Sequence, residues 1–333
     1  MQSSSKSCFA KPLSHIYIEH AIATHPRTVS LVHRFPDAQN VYIDSYKHVF
    51  NRSHQNFDLQ KKTPKLILAQ KQVPHVYPFS EKCQMAAFEK AVYVTPVLGC
   101  RFDCDFCFLH GMYNSANPVI FVNIEEMQTE LSQKAAESNT PLFVSLSYET
   151  DLLALEPICE MLPDWIAFSR RSPNLFFECR TRSGLFQKIA KEKPQQNFLL
   201  SWSLNPDEII TQFEHGAPNL NSRLRAARQA LAAGWPVRLC FDPIIPIPDW
   251  QSSYRRLFKH VFDTLPARQL YDVTTGPFRM GSDFFKRIRK QRPWCDLYYK
   301  EMIIGTDSFN NVIVEGLQQY VPMEKVVIWK SQL

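Results

Sequence analysis

From Ala91 onward the chain alternates apolar runs of strand length with amphipathic segments of helix length, and this alternation restricts its fold more than any other feature. The runs Ala91–Leu98, Pro141–Ser147, Asn174–Arg180, Asn197–Ser203, Pro236–Asp242 and Gln269–Thr275 are predicted strands. Between them, Ile124–Glu137, Leu153–Arg171, Ser183–Glu192, Asn219–Ala233 and Gln251–Thr264 carry apolar residues at helical spacing. Such a series predicts repeated βα units on a parallel sheet. Right-handed crossovers wind it into an open sheet or an incomplete barrel, and the pattern alone leaves both open. Residues 1–85 read as a small N-terminal α/β extension, 86–280 as the main α/β unit and 281–333 as a C-terminal segment that completes it.

Composition removes several alternatives. The 333 residues are 45% hydrophobic, enough for a sizeable core. Glycine occurs only nine times, and neither GxGxxG nor GxxxxGK[ST] is present, which argues against a Rossmann or P-loop nucleotide site. Uncharged stretches such as His110–Ile124 and Asn139–Tyr148 fall short of the roughly 18 apolar residues of a membrane span. Met1–Ser14 lacks the apolar core of a secretory signal, so the expectation is a soluble cytoplasmic protein with no membrane partner.

In either winding, functional groups collect just after the carboxyl ends of the strands. Those positions hold Cys100, Cys104 and Cys107; Tyr148, Glu149 and Asp151; Thr181 and Arg182; Ser203 and Asn205; Asp242; and Arg279. Three of the nine cysteines stand as C-x3-C-x2-C on the loop leaving the first of these strands. Three thiolates on one tight loop can hold three irons of a [4Fe–4S] cluster and leave the fourth iron open to an exchangeable ligand. A structural zinc site with His110 as fourth ligand is the alternative. Cys8, Cys83, Cys159, Cys179, Cys240 and Cys295 are isolated and read as small buried hydrophobes.

The cysteine spacing, with the aromatic Phe106 before the last cysteine, resembles the radical S-adenosylmethionine enzymes, and its surroundings resemble the spore photoproduct lyase family. The resemblance runs along most of the chain, through Ile16-Tyr17-Ile18-Glu19, Cys107-Phe108-Leu109, Val122-Asn123-Ile124-Glu125-Glu126, Thr181-Arg182, Ser203-Leu204-Asn205 and Ala232-Ala233-Gly234-Trp235-Pro236. It implies an α/β fold, a partial (β/α)6 TIM-like barrel of radical S-adenosylmethionine type. It also implies cluster ligation by Cys100, Cys104 and Cys107, and S-adenosylmethionine bound by Phe106, Arg182, Ser203 and Asn205. Arg182 falls where the family has a lysine for the methionyl carboxylate, a task a guanidinium also performs. The implied activity is a carbon–carbon lyase that repairs a thymine lesion in DNA, with a reducing electron donor such as a flavodoxin or ferredoxin.

Two departures stand out. Tyr148 occupies the position of the family's hydrogen-donating cysteine, and Phe106 and Phe108 replace tyrosines that flank the third cysteine. A phenol O–H can donate a hydrogen atom, whereas phenylalanine cannot relay one. These changes leave open a radical enzyme acting on a substrate other than DNA, and a zinc-containing nucleic-acid-binding protein without catalysis.

Residues 168–300 carry 22 Lys and Arg against 11 Asp and Glu, while the whole chain nets +6. The stretch Arg279–Arg292 interleaves Lys286, Arg287, Arg289 and Lys290 with Phe284, Phe285 and, just beyond, Trp294. That combination suits contact with DNA phosphates and bases, and suits equally an amphipathic helix with Phe284, Phe285 and Ile288 inward. Arg279, with Tyr298 and Tyr299, is expected at the substrate opening.

Overall fold

The computed structural model describes residues 13–79, 88, 90–298 and 304–329. Its strands are, in chain order, β1 (His15–Glu19), β2 (Gln39–Ile43), β3 (Leu66–Ala69), β4 (Val76–Pro78), β5 (Ala91–Val94), β6 (Val97–Leu98), β7 (Asp103–Cys104) and β8 (Val119–Phe121). They continue as β9 (Leu142–Ser145), β10 (Leu175–Thr181), β11 (Phe198–Ser203), β12 (Glu214–His215), β13 (Val237–Ile244), β14 (Asp272–Pro277) and β15 (Val326–Ile328). Eight of them form one sheet in the order β15-β14-β13-β11-β10-β9-β5-β4, parallel throughout except for the antiparallel edge pair β4–β5. Its two end strands do not pair with each other, so the winding is a partial barrel.

The run predicted as one strand over Ala91–Leu98 divides at Pro96. Proline has no N–H for a sheet ladder and holds its predecessor extended. Its carbonyl still accepts from the Phe121 N–H at 3.0 Å. Upstream, β5 pairs with β9 in the large sheet; downstream, β6 turns antiparallel onto β8 in a second sheet of order β2-β1-β3-β8-β6. This second sheet therefore takes strands from both sides of residue 85.

Parallel strands flanked by helices are buried on both faces, and β10 shows how the two faces divide. Phe177 packs against Trp165 and Phe168 of the outer helix Leu162–Arg170, with ring centroids 6.2 and 5.8 Å apart. Glu178, Arg180 and Arg182, at alternating positions, face the barrel interior and line one cavity there.

Helices Ile124–Ala136, Leu220–Ala232 and Trp250–Thr264 lie where the periodicity predicts them. Two predictions need correction. Ser183–Glu192 contains only the short 3-10 turn Phe186–Lys188, because the Thr181 and Ser183 hydroxyls take the N–H groups of Ser183 (2.8 Å) and Leu185 (3.1 Å), holding the backbone in turns. The predicted helix Leu153–Arg171 breaks into Leu152–Cys159 and Leu162–Arg170 at Glu160, which adopts a left-handed conformation with φ of 46°.

The break leaves backbone donors inside the protein, and Glu156 satisfies them. Its carboxylate accepts from Met161 N–H at 3.1 Å and Leu162 N–H at 3.0 Å. Burial nonetheless dominates and pushes its carboxyl up to about 7 from an ordinary 4.5. The folded state thus keeps a proton that the unfolded chain has shed, and stability falls as pH rises through that window. Glu156→Gln is expected to gain stability relative to wild type between about pH 4.5 and about pH 7, read from guanidinium unfolding at both ends. A pH-independent difference between the two proteins refutes this.

Candidate active site

The interior of the partial barrel holds a cavity of about 270 Å³ at the carboxyl ends of its strands. Cys100, Cys104 and Cys107 line it together with Phe106, Tyr148, Arg182, Ser203 and Arg279. Ten of the twelve predicted strand-end residues, Asp151, Thr181 and Asp242 among them, and the aromatic Phe106 therefore meet in one space. Tyr299 lies outside the described residues, as do Cys8 and Cys83. Asn205 is not on the cavity wall. Its amide donates to Glu214 Oε1 at 2.7 Å and accepts from the Tyr254 hydroxyl at 3.1 Å.

The cysteine loop begins at Gly99, whose φ of 85° favours glycine. Thr150 Oγ1 donates to the Gly99 carbonyl at 2.7 Å and Gly99 N–H to that of Glu149 at 3.0 Å, so the loop after β9 is sewn to the start of the cysteine loop. Within the loop, β7 pairs antiparallel with β12, setting Cys104 opposite Glu214 and Asp103 opposite His215. Two cations from distant segments grip the same loop. Lys61 Nζ donates to the carbonyls of Cys100 and Phe102 at 2.5 and 2.6 Å. Arg292 reaches Asp103 and Asp105 at 2.8 Å each and Asp58 at 2.6 Å.

Arg292 was grouped in the sequence with residues suited to DNA contact; the structure corrects this. Its side chain is 5% exposed and its guanidinium is committed to three carboxylates. Tyr298, expected at the opening, is likewise buried and donates its hydroxyl to the Asp105 carbonyl. Helix Ser282–Gln291 keeps Lys286, Arg287, Arg289 and Lys290 exposed, with Ile288 buried and Phe284 and Phe285 half-buried. It comes close to helix Leu109–Met112 because Gly111 has no side chain: a Cβ there would stand 2.6 Å from the Phe284 carbonyl oxygen.

The three thiols are free of disulfides. Burial pushes all three up, Cys100 to about 12, while nearby Lys61 and Arg182 draw against it. Among the described residues, no three His, Cys, Asp or Glu side chains converge tightly enough to hold a single metal ion. His110, the fourth ligand of the zinc alternative, instead lies with Nε2 3.3 Å from Asp103 Oδ1 and tilted against Phe57, ring centroids 4.7 Å apart. Three thiols from one loop on one cavity are the soft donor set that an iron–sulfur cluster takes.

Three arginines cross the barrel interior in tiers, each held by acids from other segments. Deepest, Arg238 forks onto Asp272 at 2.5 and 2.6 Å and donates to Glu178 at 2.9 Å. Above it, Arg180 pairs with Asp242 and donates to Ser203 Oγ at 2.9 Å. Nearest the cysteines, Arg182 donates from Nε to Glu214 at 3.3 Å, and its guanidinium lies 5.3 Å from the centre of the Phe106 ring. Burial pushes the Glu214 carboxyl up, but Arg182 and Arg223 together bring it below the ordinary range. The Arg182 backbone N–H donates to Asp151 at 2.7 Å, and Asp151 also accepts from Thr181 Oγ1 at 2.6 Å and caps the helix starting at Leu152.

Tyr148 sits on the opposite wall in an aromatic nest. Its ring centroid is 4.4 Å from that of Tyr93, 5.1 Å from Phe79 and 5.6 Å from Phe108. Arg279 lies over Trp329 at 5.6 Å. Cys240, read from the sequence as a small buried hydrophobe, is buried and also lines the cavity between Arg238 and Asp242 on β13. Its position two residues from each, on the same face of a strand, was the available signal. Glu214 and Lys61 do not figure among the sequence candidates, and nothing local to them or to Arg292 marks the loop they hold.

A family model described as spore photoproduct lyase matches residues 14–295. Spore photoproduct lyase of Bacillus subtilis strain 168 is 26% identical over 189 residues, and that of a Geobacillus species 23% over 188, each match covering 55% of both chains. The matched stretch thus spans about half the length of these curated relatives. Among solved structures, a spore photoproduct lyase double mutant with bound AdoMet and dinucleoside spore photoproduct superposes with a TM-score of 0.76 at 17% identity, over 96% of this chain and 99% of that one. A single mutant with the dinucleoside alone gives 0.79 at 16% over the same shares. At these identities the structural likeness is one of fold, and it is the partial barrel that the family resemblance implies. By the match over most of its length, the chain belongs to the spore photoproduct lyase family.

Proposed function

We propose that this protein is a radical S-adenosylmethionine enzyme that abstracts hydrogen from a thymine lesion in DNA. The observation that carries this reading is the meeting of three free thiols, Arg182, Ser203 and Tyr148 around one barrel cavity. Cys100, Cys104 and Cys107 would hold a [4Fe–4S] cluster, whose open iron with S-adenosylmethionine supplies one electron and a 5′-deoxyadenosyl radical. Arg182, already desolvated and aligned by Asp151 and Glu214, would bind the methionyl carboxylate, and Phe106 and Ser203 would line the same site.

Hydrogen return has two readings. In the first, Tyr148 donates its phenolic hydrogen to the product radical, the aromatic nest around it fixing the ring. In the second, favoured by the placement of Cys240 on the cavity wall, its thiol does so; burial keeps that sulfur protonated by pushing it up to about 12. For the substrate, the exposed basic side chains of helix Ser282–Gln291, beside Phe108 through Phe284, would receive the lesion's phosphates.

Anaerobic reconstitution should give a cluster whose broad visible absorption is lost in Cys100→Ala, Cys104→Ala or Cys107→Ala, together with all 5′-deoxyadenosine formation. Iron-free wild type defeats the reading. Arg182→Ala should weaken S-adenosylmethionine binding roughly 10- to 100-fold, by equilibrium dialysis, as for loss of one charge-assisted hydrogen bond. With deuterated lesion-bearing DNA, label should enter 5′-deoxyadenosine in wild type, Tyr148→Phe and Cys240→Ala alike. The variant that forms deoxyadenosine but not repaired thymine identifies the donor, and label that never leaves the DNA removes DNA as substrate.

A further inference from the structure

Cys100 and Cys107 border two spaces. One is the barrel cavity; the other is a pocket of about 10 Å³ on the far side of the cysteine loop, closed by Phe57 and Lys61. Those two residues form the inner face of the short helix Phe57–Lys62, with Asp58 ion-paired to Arg292 beside them. The outer face of the same helix meets solvent through Lys62 and Leu59, the latter 57% exposed. One helix, about 10 Å across, thus separates the cluster ligands from solvent on the side away from the barrel cavity.

That covering is basic. Residues 47–65 contain Lys47, Arg52, Lys61, Lys62 and Lys65 against the single acid Asp58, which Arg292 neutralises. Lys47, Arg52 and Lys62 are exposed. The rest of the chain outside residues 168–300 is by contrast net acidic, so the patch is a local concentration and not the average surface. An exposed apolar side chain with Lys62 on the same helix face, in a stretch of five cations and one acid and over a thin wall to a redox group, fits a transient and electrostatically steered partner.

We infer that the surface of residues 47–65, centred on Leu59 and Lys62, is the docking face for an acidic one-electron carrier of the flavodoxin type. The inference rests on the cluster reading above. In the transfer a reduced flavin loses one electron and the oxidised cluster gains it; no bond forms or breaks at the cluster and no proton moves there. Lys61 holds the first carbonyls that the electron meets, those of Cys100 and Phe102.

The test uses reconstituted holoenzyme mixed anaerobically with flavodoxin hydroquinone, following loss of cluster absorbance by stopped flow. The double variant Arg52→Glu, Lys62→Glu should slow reduction about tenfold or more at low ionic strength, with the difference shrinking as salt rises. The neutral pair Arg52→Gln, Lys62→Gln should fall between. Dithionite, which needs no docking face, should reduce all three proteins equally fast. Equal slowing with dithionite overturns the proposal, as does a flavodoxin rate indifferent to both reversals. Weakened duplex DNA binding with an unchanged flavodoxin rate also overturns it and gives the face to nucleic acid. Wild type that gains no cluster absorbance fails the reading on which the proposal rests, whereas wild type reduced by dithionite keeps that reading whatever the docking result.

Discussion

A single buried guanidinium holds the reactive loop in place. Arg292 draws together Asp58 from the N-terminal extension and Asp103 and Asp105 from the cysteine loop, and Tyr298 fastens the Asp105 carbonyl from the same C-terminal segment. Three carboxylates so close would repel one another without it, and a buried ion set that loses its common partner is strongly destabilised. Lys61 grips the loop from the other side. The cysteines are therefore positioned by charges from segments nearly the whole chain apart, and β7 needs only two residues of pairing with β12 to complete their register.

The barrel interior follows a related logic. Parallel strands here keep apolar residues under the outer helices and turn charged ones inward, so the centre is a polar chamber and not a packed core. Each inward arginine meets an acid on a different segment: Arg238 on β13 with Asp272 on β14 and Glu178 on β10, Arg180 with Asp242, Arg182 with Glu214. Desolvating these charges costs free energy, and the pairing offsets it only if the strands keep their register. The tiers thereby tie four strands together across a space that must stay open for ligands.

Much of this was legible in the sequence because it is local. Alternating strand and helix periods gave the parallel sheet, and C-x3-C-x2-C gave the reactive loop, since both are written in consecutive residues. Strand ends located Tyr148, Arg182 and Ser203 correctly on the cavity. What escaped depends on the third dimension. Asn205 shares a face with Ser203 by parity, yet the strand ends between them and its amide turns to Glu214. Arg292 looked like one more surface cation because its acids lie up to 234 residues away. The split at Glu160 stayed hidden because apolar periodicity continues across it, while Glu156 quietly supplies the missing hydrogen bonds.

Pro96 has a mechanical consequence. The chain leaves the large sheet at Val94, enters the smaller one at Val97, and reaches Cys100 almost at once. Of the passages between the two sheets among the described residues, this one spans only Thr95 and Pro96, against six residues from β3 to β4 and twenty from β8 to β9. A ligand seated against either sheet is thus coupled by stiff backbone to the geometry of the thiols. That short link ends at Cys100, the first of the three thiols on the cavity.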